Sequence, residues 1–412
     1  KLRDLEESAK KAKRPDFIVQ TSYAPLRSLS TYWRLNYSNT PYKLREVVPL
    51  FNELIEVELA DQELLAHDPT VQERRNTHYM EQLYWDAAPR GIDAKWVWEQ
   101  YEIEGQGVGF VDLQQGWELP HADLVNPPEL IINTNAHGFN GYKGVHGTNT
   151  LGVVVATDNK MGIVGIAPST KYIKLASHYR PSSSGEVGHV ADAIGKVLSE
   201  FYDGNINKGD VLLIEVQRDK YPVEVDDADF CAIQCACDLG LVVVEAAGNG
   251  GHDLDEWRDS FGNPRLNQAH NIHFEDSGAI MVGASRAEPP HYSDHDRIHH
   301  SNYGNRVDCY AWGENVATTG GSGDISGAQT NCRFDNFTRD FGGTSAASAI
   351  IAGAAILLQS YYKNKTLRTL NSYEIRQRLS NDATGTPQGG LVQGHIGVMP
   401  DLKKIIQTPY YF

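Results

Sequence analysis

From about residue 86 onward, short apolar runs alternate with longer amphipathic stretches. The apolar runs have the length and the β-branched content of buried strands, and they occupy residues 107–113, 171–176, 210–216, 241–247 and 279–284. Between them, residues 188–202 and 227–240 carry apolar positions at helical spacing. The alternation predicts an α/β fold, a three-layer arrangement of a mostly parallel sheet with helices on both faces. In such folds, ligands bind at the carboxyl ends of the strands.

The first 75 residues have a different pattern. Residues 16–20 and 54–60 are predicted strands, and residues 61–68 are a predicted short helix with Asp61 as its N-cap. The chain is therefore predicted to divide into a small α+β module over residues 1–75 and a main domain over residues 76–412.

Charge and hydropathy exclude two classes of partner. The chain has 37 basic and 53 acidic residues, and the net charge of −16 argues against a nucleic-acid-binding surface. An apolar run must reach about 18 residues to span a bilayer. The longest run, at residues 346–358, is interpreted as a buried core helix, so no membrane span is expected.

Four polar residues stand out against apolar or glycine-rich surroundings. Ser345 lies between two glycines and the apolar run in "FGGTSAASAIIAGAAILL". A serine hydroxyl becomes an effective nucleophile when a histidine takes its proton and a carboxylate holds that histidine in one tautomer. Asp112 in "GVGFVD" and His146 in "GVHGTNTLGVVVA" are the candidates for these roles. Asn249, in the turn "AAGNGG", has a side-chain amide suited to stabilising an oxyanion.

The order of these residues along the chain discriminates between classes of serine hydrolase. It is Asp, His, Asn, Ser, whereas α/β-hydrolases run Ser, Asp, His and chymotrypsin-like enzymes run His, Asp, Ser. The motifs "GVGFVDLQQGW", "VHGTNTLGVV", "VVEAAGNG" and "GGTSAASAIIAGAA" resemble those of the subtilisin-like serine proteases, the subtilase family or peptidase family S8. The resemblance extends over about residues 86–400.

The resemblance implies a role for each of the four residues. Asp112 orients His146, His146 is the general base and acid, and Ser345 attacks the substrate. Asn249 and the backbone N–H of Ser345 form the oxyanion hole. The expected activity is that of a serine endopeptidase, which hydrolyses polypeptides through an acyl-enzyme and needs no cofactor for the chemistry.

Each residue also has an ordinary structural interpretation, and two other functions stay open. An aspartate near a strand end commonly forms a turn, and a serine before a helix commonly caps it. One alternative function is a non-catalytic peptide-binding pseudoprotease, against which the presence of all four residues argues. The other is a subtilase-type peptide ligase or macrocyclase, which no sequence feature specifically indicates.

The predicted substrate pocket departs from the family pattern. Where subtilases usually carry "SLGG", this chain has "DVLLIEVQR". The substrate-binding candidates are Glu215, Val216, Gln217, Glu245 and Gly248. One interpretation is a restricted, acidic pocket that selects arginine or lysine before the scissile bond. The other is that Glu215 or Glu245 pairs internally with a neighbour such as Arg218, or faces away from the pocket.

The N-terminal module also fits the resemblance, because subtilases are typically made with a propeptide that assists folding and inhibits the active site. Residues 1–75 are then the intramolecular inhibitor, residues 67–76 are its tail, and Arg74 and Arg75 are self-cleavage positions. On this interpretation the chain is a zymogen. The alternative for the tail is a solvated charged loop.

The sequence gives fewer indications of metal binding and of the cellular location of the protein. The histidines in "HYSDHDRIHH" follow two prolines and are interpreted as a surface loop, while the acidic run at residues 253–259 has the oxygen ligands that calcium prefers. Metal ligands are therefore unassigned, and structural calcium is compatible with the sequence. The charged stretch that starts at Lys1 shows no signal peptide, but the resemblance and a pairing of Cys309 with Cys332 would fit a secreted protein.

Overall fold

The structure is a computed structural model. It describes residues 82–119, 121, 123–124, 126, 128–131, 142–158, 162–182, 185–269, 272–287, 295–320 and 337–408, together with three short segments at residues 18–20, 34–36 and 66–67.

The strands and helices follow the alternation of the sequence. In chain order, the strands are β1 (Ile18–Gln20), β2 (Arg34–Asn36), β3 (Ala66–His67), β4 (Gly109–Gln114), β5 (Glu129–Leu130), β6 (Tyr172–Ser177), β7 (Tyr179–Ser182), β8 (Gly185–Gly188), β9 (Val211–Ile214), β10 (Gln217–Arg218), β11 (Tyr221–Pro222), β12 (Val242–Ala246), β13 (Ile280–Ser285), β14 (Cys309–Trp312), β15 (Val316–Thr319), β16 (Phe337–Phe341), β17 (Thr386–Pro387) and β18 (Val398–Met399). The α-helices are α1 (Ala94–Tyr101), α2 (Tyr142–Val155), α3 (Val190–Tyr202), α4 (Asp227–Leu239), α5 (Gly343–Thr366), α6 (Ser372–Leu379) and α7 (Leu402–Gln407).

A nine-stranded sheet forms the centre of the fold, in the order β17-β18-β14-β13-β12-β9-β4-β6-β5. β17 is antiparallel to β18, and the other neighbours are parallel. From β4, the chain places β6 on one side and β9 on the other, so the strand order changes direction at β4. Open α/β sheets bind ligands outside the carboxyl ends of the strands at such a point.

Helices cover both faces of this sheet, which confirms the predicted α/β architecture. On one face, α5 packs against β9, β12, β13 and β14 and contacts α2. On the other face, α3 and α4 pack against each other and enclose a second apolar cluster. Two layers of helices therefore bury the central strands of the sheet, as their continuous apolar runs require.

The apolar run near the C-terminus forms the buried helix that the sequence predicts. α5 has 24 residues, and its most apolar 18-residue window has a mean hydropathy of 1.4 and is completely buried in the fold. Among the described residues, it is the one helix long and apolar enough to cross a membrane. Its complete burial against the sheet is what a core helix shows.

Most predicted elements are found within a few residues of their predicted bounds, with one difference. The predicted helix over residues 61–68 is wrong at its end, because Ala66–His67 is a strand. This strand pairs with β10, and no local pattern in the sequence encodes that distant partner. The strand predicted at residues 54–60 lies outside the described residues.

Candidate active site

Asp112 and Gln114 lie on the same face of β4, because successive side chains of a strand alternate between its two faces. Asp112 is completely buried and pairs in register with Leu175 of β6 and Leu213 of β9. Its carboxylate accepts hydrogen bonds from Trp117 Nε1 at 2.6 Å and from Gln114 Nε2 at 3.0 and 3.2 Å. These neutral donors stabilise a buried negative charge.

His146 lies in α2 with its ring against the Gln114 side chain. Gln114 Oε1 is 2.5 Å from His146 Nδ1, and the imidazole meets the ring of Phe341 edge-on at 5.5 Å. Gln114 Nε2 donates to Asp112, so the amide oxygen of Gln114, Oε1, can only accept a hydrogen bond from His146. The His146 Nδ1 atom must therefore carry the ring proton. The Nε2 atom of the neutral ring is then the basic nitrogen.

Ser345 is buried in the first turn of α5, just after Gly342 and Gly343. One turn further along, the Ser348 hydroxyl donates to the main-chain oxygen of Ser345 at 2.9 Å and lies 3.5 Å from Glu215 Oε1. Glu215 Oε2 in turn lies 3.7 Å from His146 Nδ1. The structure thus brings the start of α5, the end of β9 and α2 together around His146.

Asn249 is fixed against the start of α5. Its Oδ1 accepts hydrogen bonds from Thr344 N at 3.0 Å and from Thr344 Oγ1 at 3.2 Å, and its own N–H donates to Gln217 Oε1 at 2.9 Å. Asn249 Nδ2 is buried and has no hydrogen-bond partner in the described part of the chain. A buried donor of this kind, next to helical N–H groups that lack intrahelical acceptors, is suited to bind an oxyanion.

Gln217 and Gly248, two of the predicted substrate-binding residues, lie next to Asn249. Val216 and Gln217 are buried at the edge where β9 leads into β10. Gly248 has φ of +92°, and a Cβ atom there would lie 2.6 Å from the Lys220 carbonyl oxygen. The tight turn and close approach therefore require glycine at this position.

The two carboxylates of the predicted acidic pocket have interior partners. Glu215 Oε2 accepts from Thr150 Oγ1 at 2.7 Å, and Glu245 Oε1 accepts from the Glu224 main-chain N–H at 3.2 Å. Both side chains are completely buried. The contacts therefore favour the interpretation in which these carboxylates pair internally.

Arg218 is not the internal partner that the sequence suggested for them. It binds Asp229 instead, at 2.7 Å.

Burial also affects the protonation of Glu245. Loss of water contact, followed by the negative charge of Glu224, raises the pKa of Glu245 well above its ordinary value. The positive charge of Arg306 lowers the pKa of Glu245 and so partly offsets this rise. The Arg306 guanidinium itself binds Glu224, at 2.7 Å.

No metal cluster accompanies the site. Among the described residues, no group of three or more His, Cys, Asp or Glu side chains is arranged to hold a metal ion. In the acidic run, Asp253 and Asp259 accept main-chain N–H groups of their own loop, as turn-forming aspartates do. Cys309 is a buried free thiol in β14, while Cys332 and His291 lie outside the described residues.

The strand β3 borders the substrate-binding candidates. Ala66 pairs with Arg218 and His67 with Gln217, in antiparallel register. Main-chain pairing of an extended segment with an exposed strand edge is a common mode of peptide binding. The segment Ala66–His67 therefore occupies the edge of β10.

Comparison with known proteins identifies the class that this fold and site define. The family model of the subtilases matches residues 132–398, and the chain belongs to the subtilase family.

Among curated relatives, an intracellular serine protease of Paenibacillus polymyxa is 26% identical over 302 residues, covering 71% of this chain and 78% of the relative. The major intracellular serine protease of Bacillus subtilis is 25% identical over 297 residues, covering 70% and 79%. Subtilisin DY of Bacillus licheniformis is 28% identical over 283 residues, covering 67% and 83%.

Solved structures show the same fold. A protease from Pseudoalteromonas arctica superposes with a TM-score of 0.53 at 20% identity, covering 79% of this chain and 96% of that one. Fervidolysin from Fervidobacterium pennivorans superposes with a TM-score of 0.56 at 18% identity, covering 84% and 50%. The protein is a subtilisin-like serine endopeptidase, a hydrolase with polypeptide substrates. The relatives named as intracellular show that secretion does not follow from the family alone.

Sequence reasoning missed the polar residues that surround His146. Gln114 and Trp117 contact Asp112, and Thr150 contacts Glu215 from the turn of α2 after His146. Two of these had a local signal, because Gln114 shares a strand face with Asp112 and Thr150 lies four residues after His146. The pairing of Thr150 with Glu215 had none, since 65 residues separate them.

Proposed function

We propose that Ser345, His146 and Asp112 form the catalytic triad of this endopeptidase and that Asn249 is a donor of its oxyanion hole. The main support is the hydrogen-bonded chain Asp112–Gln114–His146, with 3.0 and 2.5 Å between its heavy atoms. It fixes the histidine tautomer in which Nε2 can accept a proton.

The proposed reaction has two steps. Ser345 Oγ attacks the carbonyl carbon, its proton moves to His146 Nε2, and the carbonyl oxygen becomes an oxyanion near Asn249 Nδ2 and the Ser345 N–H. The C–N bond then breaks as His146 returns the proton to the leaving amine, which leaves an acyl-enzyme. Water, deprotonated by His146, attacks the ester and regenerates Ser345.

Labelling with a fluorophosphonate probe tests the nucleophile. We expect the wild-type protein to be labelled and Ser345→Ala to lose the label. Ser360→Ala is the matched control, because Ser360 lies on the same helix and its hydroxyl donates to Gln106 O at 2.7 Å. Labelling that persists in Ser345→Ala would contradict the proposed role of Ser345.

We also propose that residues 1–75 are a propeptide module whose tail inhibits the enzyme, so that the chain is a zymogen. The pairing of β3 with β10 supports this, because it places the Ala66–His67 segment alongside Gln217, next to Asn249. Occupation of a substrate-binding strand edge excludes a substrate peptide from the same main-chain groups.

The intact mass of the purified wild-type chain, compared with Ser345→Ala, tests self-processing. We expect the wild-type chain to be cut after Arg74 or Arg75 and the variant to stay whole. The new terminus also reports the residue preferred before the scissile bond. A basic residue there would support the restricted, basic specificity, for which Glu215 and Glu245 offer no direct contact. If both proteins stay whole, self-processing is contradicted.

Secretion and structural calcium complete the proposal. The resemblance to subtilisins supports both, and the calcium ligands stay unassigned because Asp253 and Asp259 accept main-chain N–H groups of their own loop. Thermal unfolding with calcium and with a chelator tests the metal: a higher melting temperature with calcium is expected, and equal temperatures would contradict it. Detection of the protein in culture medium rather than in cells tests secretion.

A further inference from the structure

Glu215 is a second buried carboxylate beside His146, in addition to Asp112. It follows Ile214, the last residue of β9, which pairs in register with Leu113 of β4. The register places Glu215 beside Gln114, and Gln114 Nε2 lies 3.3 Å from Glu215 Oε2. The Gln114 amide therefore faces both carboxylates with its nitrogen and faces His146 with its oxygen.

Neutral donors surround the Glu215 carboxylate on several sides. Thr150 of α2 donates to Oε2 at 2.7 Å, Gln114 of β4 faces the same oxygen, and Ser348 of α5 lies 3.5 Å from Oε1. Among the described residues, the titratable groups that contact this cluster are His146, whose Nδ1 is 3.7 Å from Glu215 Oε2, and Asp112, through Gln114. Such donors favour the ionised form of a buried carboxyl, and a protonated His146 would place a cation 3.7 Å from Glu215 Oε2.

We propose that Glu215 and Gln114 are positioning residues for His146. Gln114 holds the imidazole in the tautomer required for a base. Glu215 contributes a second negative charge, which stabilises the imidazolium that forms when Ser345 is deprotonated. This inference rests on the proposed function of Ser345 and His146.

The geometry explains why an amide, and not a third carboxylate, occupies position 114. A carboxylate there would face two other carboxylates, and the repulsion between like charges would force protonation of one of them. The amide nitrogen satisfies both carboxylates, and its oxygen remains to accept the His146 Nδ1 proton. Rotation of the amide by 180° would place its oxygen against the carboxylates, so a single orientation is favoured.

The test compares Glu215→Gln with the wild-type enzyme in peptide hydrolysis. Glu215→Gln preserves size and hydrogen bonding but removes the charge. We expect kcat to fall about 10- to 100-fold, a part of the roughly 10²- to 10⁴-fold that a general base contributes, with KM nearly unchanged. The acid limb of the pH profile of kcat/KM should move to lower pH by roughly one unit, because the neighbouring negative charge is lost.

Asp210→Asn is the matched control. Asp210 is also completely buried, but it precedes β9 at the opposite end of the strand, where its Oδ1 accepts the Gly109 N–H at 2.8 Å. This variant loses a buried charge without changing the surroundings of His146, so kcat and the pH profile should match the wild type. Glu215→Asp, which retains the charge, should recover part of the lost kcat.

The outcomes distinguish failure of the positioning role of Glu215 from failure of the proposed function. If Glu215→Gln matches Asp210→Asn in kcat and in pH profile, Glu215 is not a positioning residue. If Glu215→Gln does not fold, Thr150→Val removes one hydrogen bond from Glu215 instead, and an unchanged kcat and pH profile in that variant would overturn the inference. If the wild type is active and the variants are unaffected, only this inference is contradicted. If the processed wild type neither hydrolyses peptides nor is labelled by the fluorophosphonate probe, the proposed function is contradicted.

Discussion

Asn249 Oδ1 accepts hydrogen bonds from both the main-chain N–H and the hydroxyl of Thr344, the residue before Ser345. The Thr344 hydroxyl also accepts the Gly248 N–H at 3.2 Å. One threonine thus connects the turn that carries Asn249 to the helix that carries Ser345. The amide cannot rotate without losing these bonds, so Nδ2 keeps a fixed position.

The first prediction concerns Asn249, the proposed oxyanion donor. Asn249→Ala should lower kcat by about 10²- to 10³-fold, because loss of one fixed donor removes roughly 3–4 kcal/mol of transition-state stabilisation. KM should change little, since the oxyanion exists only after attack. Thr344→Val, which removes the hydroxyl but keeps the main-chain bond to Asn249, should have a smaller effect. Steady-state kinetics on a peptide substrate measures both variants, and an unchanged kcat in Asn249→Ala would contradict the assignment.

The second prediction concerns the buried carboxyl of Glu245. Burial and then the charge of Glu224 raise its pKa in the folded protein well above the ordinary value of 4.5. As the pH rises above 4.5, the unfolded chain loses this proton before the folded one, so the carboxyl increasingly destabilises the fold. The stability of Glu245→Gln relative to the wild type should therefore increase from pH 5 to pH 8, as chemical denaturation can measure.

Glu99→Gln is a control for that series. Its carboxylate is 58% exposed and forms a 3.9 Å pair with Lys95, so its effect on stability should be small and nearly independent of pH in this range. A Glu245→Gln effect equally independent of pH would contradict the raised pKa.

The third prediction compares the same substitution in two helices. In α5, a Cβ atom at Gly353 would lie 2.6 Å from Ile166 Cβ, so Gly353→Ala should destabilise the fold by about 1–3 kcal/mol through overpacking. In α3, a Cβ atom at Gly195 meets nothing within 4 Å. Gly195→Ala should stabilise the fold by about 0.5–1 kcal/mol, because alanine loses less conformational freedom in a helix. Equal effects of the two variants on the free energy of unfolding would refute this packing argument.

The fourth prediction concerns acid stability. Burial raises the pKa of Asp276, but its hydrogen bonds to Arg376, at 2.5 and 2.7 Å, and the charge of Arg376 outweigh this and lower the pKa to about 2. The pair therefore contributes stability above pH 4, and this contribution is lost as the pH falls toward 2. Asp276→Asn should cost at most about 2 kcal/mol at pH 7, with a difference from wild type that disappears near pH 2. If the difference in stability between Asp276→Asn and the wild type stays constant down to pH 2, the lowered pKa of Asp276 does not contribute to acid stability.

The sequence alone determined the architecture and the order of the site residues. Buried parallel strands appear as continuous apolar runs, and the predicted strand at residues 241–247 is β12, Val242–Ala246. Helical spacing likewise indicated α3 and α4. These elements were predictable because the apolar and polar positions that determine their burial lie in consecutive residues. The order Asp112, His146, Asn249, Ser345 distinguished the subtilases from other serine hydrolases for a similar reason, since each residue lies in a short local motif.

Only the tertiary structure decided which groups surround His146 and where the two extra glutamates point. Glu215 follows β9 and Glu245 lies in the neighbouring strand β12, but the first faces His146 and Thr150 while the second faces Glu224. The strand at Ala66–His67 replaced the end of a predicted helix because its partner, β10, lies about 150 residues away in the chain. Contacts of this kind depend on which strands become neighbours and in which register. Strand pairing sets that register over long separations in the chain, and a local pattern of apolar and polar residues does not encode it.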